Sequence, residues 1–301
     1  VVLLTSVRRA VAASAVALLA LAGPVGCGEA SPSDRARPAP LHPLNGAAYY
    51  SDAEQRTMDE KVEAATGDCM RRRGFHYPAE PTPPATAPVE SEPGNPYGLL
   101  DARDARTRGY GIVPEEMRRR QGGPSATPSS PDPRYAAALL GDQTRQRTLP
   151  LPDGNEVSIA VGACVTEARA AVFGDDWDRL FYTVQALSNM VITRTGDSPE
   201  VARALETWSS CVGRAGHPAA HPEELREALY ERARAAADAE AVRAVARAEL
   251  ATAEADADCQ EQAGLRQALR DAQRRVEQQV LTDGFRRDVE QLRQRRQRVL
   301  G

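Results

Sequence analysis

LRQALRDAQRRVEQQV, residues 265–280, sets Leu265, Leu269, Ala272, Val276 and Val280 at steps of four, three, four and four. That spacing lays the apolar groups along one side of an α-helix and leaves arginine, glutamine and glutamate on the other. The stripe resumes with a phase shift at Phe285, Val289, Leu292 and Val299, a near-heptad pattern suited to packing against a partner helix. Upstream, from His221-Pro222-Glu223, the chain is poor in glycine and proline and rich in Ala, Glu, Arg and Gln, which favours helix throughout. Residues 221–301 are therefore expected to be long helices, with breaks at Gly264 and Gly284. Residues 223–263 hold 11 acidic and 5 basic side chains, whereas 264–300 hold 5 acidic and 10 basic. A turn near Gly264 would make two arms of complementary charge; without it the basic end would project as an exposed arm.

Residues 47–220 read as a helical domain. Ser51-Asp52-Ala53-Glu54 has the form of a capping box, and Met58, Val62, Ala65 and Cys69 follow on one helical face as far as a stop at Gly74. Further helices are expected from Cys164 to Phe173, from Asp176 to about Ile192, and from Ser198-Pro199 onward, where Val201, Leu205, Trp208 and Cys211 or Val212 form a stripe. The one β-pattern lies in residues 148–163, where Leu149, Leu151, Val157, Ile159 and Val161 alternate around Pro152-Asp153-Gly154-Asn155. Proline dominates 78–96 and 121–133, which reads as two loops, and Tyr97–Arg120 between them is weakly patterned. The class is mainly α: a disulfide-stapled helical domain with one small hairpin and a long C-terminal helical arm or hairpin. Aromatics are only 5% of the chain, so the core is thin.

The N-terminal stretch carries an address. Arg8 and Arg9 precede an apolar run, Ala10–Ala22, and Gly23-Pro24-Val25-Gly26 leads to Cys27. Residues 1–26 have the layout of a signal peptide, and the run falls short of the roughly 20 residues that span a bilayer. Its end is lipobox-like, although Pro24 stands where that motif usually has leucine. Lipidation at Cys27 would anchor the protein at the outer face of the cytoplasmic membrane; cleavage at Ala20-Leu21-Ala22 would instead secrete it. Residues 27–46, rich in Pro, Ser, Ala and charge, read as a disordered tether.

Of five cysteines, Cys27 would be consumed by lipid, leaving an even set suited to an oxidising compartment. Cys69, Cys164, Cys211 and Cys259 can pair in three ways. Cys69 and Cys211 each sit in a helix's last turn with a glycine five residues on, Cys164 opens a helix, and Cys259 shares a stripe with Ala248, Thr252 and Ala255. Context favours Cys69 with Cys164 and Cys211 with Cys259.

Catalytic signatures are missing: the chain has no G-x-S-x-G, H-E-x-x-H, Walker A or G-x-G-x-x-G, and Lys61 is its only lysine. No catalytic residue, metal or cofactor is expected. His217 and His221 are four apart, but Pro218 and Pro222 break the helical face that zinc ligation would need. Asp175, Asp176 and Asp178 read as a helix N-terminus, and His76 and Tyr77 beside Arg71–Arg73 as a helix end. Trp177 and Trp208 are the candidates for ligand binding, by stacking on a sugar, set against an ordinary place in the core. Without Arg8 and Arg9 the exported chain has 36 basic and 42 acidic residues, so no basic field points to nucleic acid.

Five short motifs, Cys69-Met-Arg-Arg-Arg-Gly-Phe-His-Tyr-Pro78, Gly109-Tyr-Gly111, Gly162-Ala-Cys-Val-Thr-Glu-Ala168, Trp208-Ser-Ser-Cys-Val212 and Ala255-Asp-Ala-Asp-Cys259, keep an order and spacing that resembles a group of predicted actinobacterial (Streptomyces-type) secreted lipoproteins of unknown function. The resemblance runs from about residue 48 to 300 and brings no catalytic residues. It implies a membrane-anchored cell-envelope protein. Its expected role is non-enzymatic binding or scaffolding of an envelope protein or wall polymer, with the C-terminal helices as the contact surface. Two other readings stand: a receptor for a small ligand or cell-wall fragment, with a pocket between the hairpin and the helices of Trp177 and Trp208, and an extracytoplasmic hydrolase with a cluster of buried carboxylates or histidine. Oligomeric state stays open, since the same stripe would serve a hairpin or a dimer.

Overall fold

The computed structural model describes residues 41–77, 95–121, 132–142 and 144–301. Residues 1–26, Cys27, most of the expected tether and nearly all of the two proline-rich stretches lie outside the described residues. Among the described residues the chain is mainly helical, with eleven α-helices and one two-stranded hairpin.

Helix α1 (Asp52–Arg72) begins with the expected capping box: the Ser51 hydroxyl accepts the Glu54 amide at 3.3 Å, and the Glu54 carboxylate accepts the Ser51 amide at 2.9 Å. At its end Gly74 adopts φ +83° and the Phe75 amide donates to the Met70 carbonyl at 3.0 Å. Helix α7 (Pro199–Arg214) ends the same way, with Gly216 at φ +89° and His217 donating to Val212 at 2.9 Å. Glycine takes this left-handed stop without a Cβ penalty, so Cys69 and Cys211 occupy equivalent places one turn before it.

The hairpin joins β1 (Gln146–Pro150) to β2 (Glu156–Ala160), slightly earlier than the expected 148–163, and feeds directly into α5 (Cys164–Phe173). A disulfide Cys69–Cys164 ties α1 to α5, and Cys211–Cys259 ties α7 to α9 (Ala239–Gln262); in both the Cα atoms are 5.6 Å apart. The weakly patterned 97–120 region folds as α2 (Ala102–Arg108), capped by Asp101, and α3 (Ile112–Gln121). Pro133, expected in a loop, instead opens α4 (Pro133–Leu140) behind an Asp132 cap, the helical position where its missing N–H is harmless.

At the centre is α6 (Trp177–Gly196), whose Leu180, Val184, Leu187 and Val191 are fully buried. They pack against Val276 and Val280 of α10 (Leu265–Val280) and Val289, Leu292 and Val299 of α11 (Asp283–Leu300). Leu265, Leu269 and Ala272 continue the same stripe onto Val201 and Ala204 of α7. The stripe thus closes the molecule's own core.

Several boundaries differ from expectation. The C-terminal region is four helices, α8 (Pro222–Ala235) being separated from α9 by a break that Asp238 caps through the amides of Glu240 and Ala241 at 2.9 and 2.8 Å. The Gly264 break is present, but the next falls at Leu281–Thr282, because the Thr282 hydroxyl caps Phe285 at 3.2 Å and leaves Gly284 within the first turn of α11. Nor do the two charged arms pair mainly with each other, since α10 packs chiefly on α6 and α7. Arg275 pairs with Glu200, Arg295 with Asp176 and Arg296 with Glu54, while Glu254 and Asp258 of α9 hold Arg106 of α2, each at 3.1 Å. Finally, residues 41–46 belong to the fold rather than the tether: Pro43–Gly46 is a 3-10 turn with Pro43 and Leu44 buried. Composition missed this because the segment is ordered by hydrogen bonds from distant helices.

Candidate functional site

Helix α6 turns one face into the core and the other outward. Along the second face Trp177, Asp178, Phe181, Tyr182, Gln185, Ser188, Asn189 and Ile192 recur at helical spacing and line two adjoining clefts of about 350 and about 390 Å³. The clefts share Tyr50 and Gln55, so they form one groove beside α6. From Trp177 to Ile192 that face runs about 22 Å at 1.5 Å per residue. The opposite wall is the strap of residues 41–50 and the start of α1, through His42, Tyr49, Tyr50, Gln55, Met58 and Val62.

The two ends differ. At the α6 N-terminus Phe173 and Trp177 stack at 4.0 Å between ring centres and Phe181 follows at 6.0 Å. Beneath them Arg169 donates to the buried Asp178 carboxylate at 2.8 Å. Asp178 also lies in the first turn of α6, where a negative charge complements the helix dipole. Toward the other end the lining becomes polar, and the side-chain amides of Gln185 and Asn189 have no hydrogen-bond partner among the described residues. Between the ends the Tyr50 hydroxyl is buried without a partner, its ring covered by the Arg296 guanidinium at 4.6 Å. Burial pushes this phenol up to about 12, with Arg296 opposing and Glu54 adding to the shift.

The strap is clamped from behind. Leu44 and Asn45 hold left-handed conformations, φ +54° and +50°, costly for residues with side chains. The Leu44 amide donates to Glu277 at 2.8 Å and its carbonyl accepts from Arg293, while Arg296 donates to the Tyr49 carbonyl at 2.6 Å and to Glu54 at 2.5 Å. Glu277 of α10 and Arg293 and Arg296 of α11 therefore fix the groove's second wall. Nothing in the sequence linked positions 44 and 277, and only the fold brings them together.

The two tryptophans part company. Trp177 lines the groove, whereas Trp208 is fully buried and its indole N–H donates to Asp256 at 2.8 Å. The expected pocket between the hairpin, Trp177 and Trp208 is replaced by the α1–α6 groove, because Trp208 faces α9. Asp256 also accepts from the Tyr110 hydroxyl and from Gln260, both at 2.9 Å; burial pushes both the Asp256 carboxyl and the Tyr110 phenol up. Glu249, likewise buried, accepts the amides of Ile112 and Val113 at 2.8 and 3.0 Å and so caps α3. These carboxylates hold the 97–113 segment on α9; neither lines the groove.

The remaining candidates are structural in geometry. Arg73 donates to the Gly162 carbonyl at 2.8 Å and to Glu167 at 2.7 Å, bracketing the first disulfide. Cys69, Cys164 and Glu167 bring ligand-type atoms within 4.8 Å, but the disulfide occupies both sulfurs. His217 Nδ1 lies 3.3 Å from the Thr252 hydroxyl, and His221 precedes α8 as its N-cap. Asp176 pairs with Arg179 at 3.5 Å. The five motifs converge on two places: 69–77 with 162–168 at one disulfide, and 109–111, 208–212 and 255–259 around Asp256 at the other. They mark the scaffold, and the groove residues lie outside them.

Among the described residues no helix is long and apolar enough to cross a membrane, and the disulfides are compatible with an extracytoplasmic location. No protein-family model, curated protein or solved structure matches this chain.

Proposed function

We propose that the protein is a non-enzymatic binding protein of the cell envelope, anchored through lipid on Cys27, whose ligand lies in the groove along α6. The observation that carries this reading is the groove itself: aromatic side chains and unpartnered amides in one concave surface, the usual composition of a binding cleft. Supporting the envelope assignment are the Arg8–Arg9 and apolar signal pattern, the motif resemblance, and the pairing of the four other cysteines, which leaves Cys27 as the odd one. The C-terminal helices bury their stripe inside the molecule, so the contact surface expected on them moves to the groove they support.

The test is a titration of the exported, disulfide-intact protein with fractions of a muramidase digest of cell wall, followed by tryptophan emission. Trp177 should report binding, and Trp177→Phe should abolish the change while leaving the far-ultraviolet circular dichroism intact. An emission change that persists in Trp177→Phe, or no change with any fraction, defeats the groove assignment. Radiolabelled fatty acid incorporation that is lost in Cys27→Ala tests the anchor separately.

A further inference from the structure

We infer that the groove is built for a neutral oligosaccharide; this rests on the binding reading above and narrows it to a chemical class. First, the chain has 14 aromatic residues and six of them, Tyr49, Tyr50, Phe173, Trp177, Phe181 and Tyr182, line this groove. Phe173 and Trp177 belong to the main hydrophobic core and Tyr50 and Phe181 pack against it, so this cluster of rings serves the core and the cleft at once. Phe173 and Trp177 are 6% and 5% exposed and serve as a backing layer, whereas Phe181, Tyr182 and Tyr49 are half-buried lining residues; one face of Tyr49 is taken by His42 and one face of Tyr50 by Arg296. A pyranose ring offers the complement, an apolar C–H face with a polar rim.

Second, the free polar groups match that rim. Gln185 and Asn189 each bring both donors and an acceptor and have no hydrogen-bond partner among the described residues. Hydroxyls of a sugar donate and accept, so they can satisfy amides of either orientation.

Third, the charge is wrong for an anion. The arginine in the lining, Arg169, is engaged by Asp178 at 2.8 Å, and Asp52 and Asp59 stand exposed on the rim. A phosphate or carboxylate ligand would meet repulsion with no free guanidinium in the lining to receive it. Fourth, the length of about 22 Å exceeds a single ring and fits a chain of several. An extended peptide would need backbone partners along the groove, and the α6 wall offers none, its main-chain groups being internally bonded.

The experiment is calorimetric titration of the full disulfide-bonded protein with N-acetylglucosamine and its tetramer, cellotetraose and maltotetraose. A pool of uncharged heptapeptides and a glycerol-phosphate oligomer serve as the other classes. At least one neutral tetrasaccharide should bind, more tightly than its monosaccharide and with little dependence on salt. Phe181→Ala should weaken it about tenfold, the scale of one lost aromatic contact. Asn189→Ala, at an exposed position, should weaken it several-fold with the melting temperature unchanged.

Failure of every neutral saccharide to bind, or binding untouched by both variants, overturns the inference. If the peptides or the glycerol phosphate bind instead and alter Trp177 emission, the saccharide class fails while the groove reading stands. If no probe of any class acts through the groove, both fail.

Discussion

Asp256 receives three side-chain donors, from Trp208, Tyr110 and Gln260, in a site closed to water. Burial still raises its carboxyl above the ordinary value, which fixes the sign of its contribution to stability. A carboxyl whose folded value lies above its unfolded one, near 4 for aspartate, contributes fully below that pH and loses the contribution as pH rises toward the folded value. Asp256→Asn keeps acceptors for Trp208 and Gln260 and can donate to Tyr110, yet has no proton to lose. It should therefore be more stable than wild type at pH 7, with the difference vanishing by about pH 3, as measured by urea melts across that range. Little of this was legible beforehand. Trp177 and Trp208 look alike in sequence, both on helices amid apolar neighbours, and what separates them is which face of which helix meets a partner.

At the scale of elements, periodicity carried well where a helix buries one face. The α1 cap and stop, the full span of α5 and the α10 stripe follow from local spacing, and the hairpin from alternation around a turn. It failed where order is supplied from afar. The strap's order is supplied by distant helices: Glu277, Arg293 and Arg296 occupy its backbone groups, and Leu44 is buried in the core they share with α6. Similarly Gly284 looked like a break, whereas Thr282 capped the helix two residues earlier. Because Glu277 accepts from both Leu44 and Gln273, Glu277→Ala should loosen the strap selectively. Hydrogen exchange of the 41–50 amides should accelerate at least about tenfold, the equivalent of one lost hydrogen bond to a charged group, while α6 and α10 keep their protection. Equal acceleration in α10 would mean that Glu277 supports the core rather than the clamp.

Over the whole molecule, the two disulfides close chain separations of 95 and 48 residues and tie α1 to α5 and α7 to α9. Their pairing was readable because each cysteine held a distinctive place relative to a helix end; the groove was not, because its lining comes from α1, α5, α6 and the strap at once. Replacing Cys69 and Cys164 together by alanine should cost about 2–4 kcal/mol in chemical unfolding, with the hairpin–α5 region affected first. The closure also has a topological consequence. Both proline-rich stretches, 78–96 and 121–133, fall between Cys69 and Cys164 in the chain. A protease cut in either one leaves two polypeptides still joined by sulfur, one carrying the N-terminal segment and the strap, the other α6 and the C-terminal helices. Such a clipped molecule should run as one band on a non-reducing gel and as two after reduction, a two-chain protein that keeps both walls of its groove.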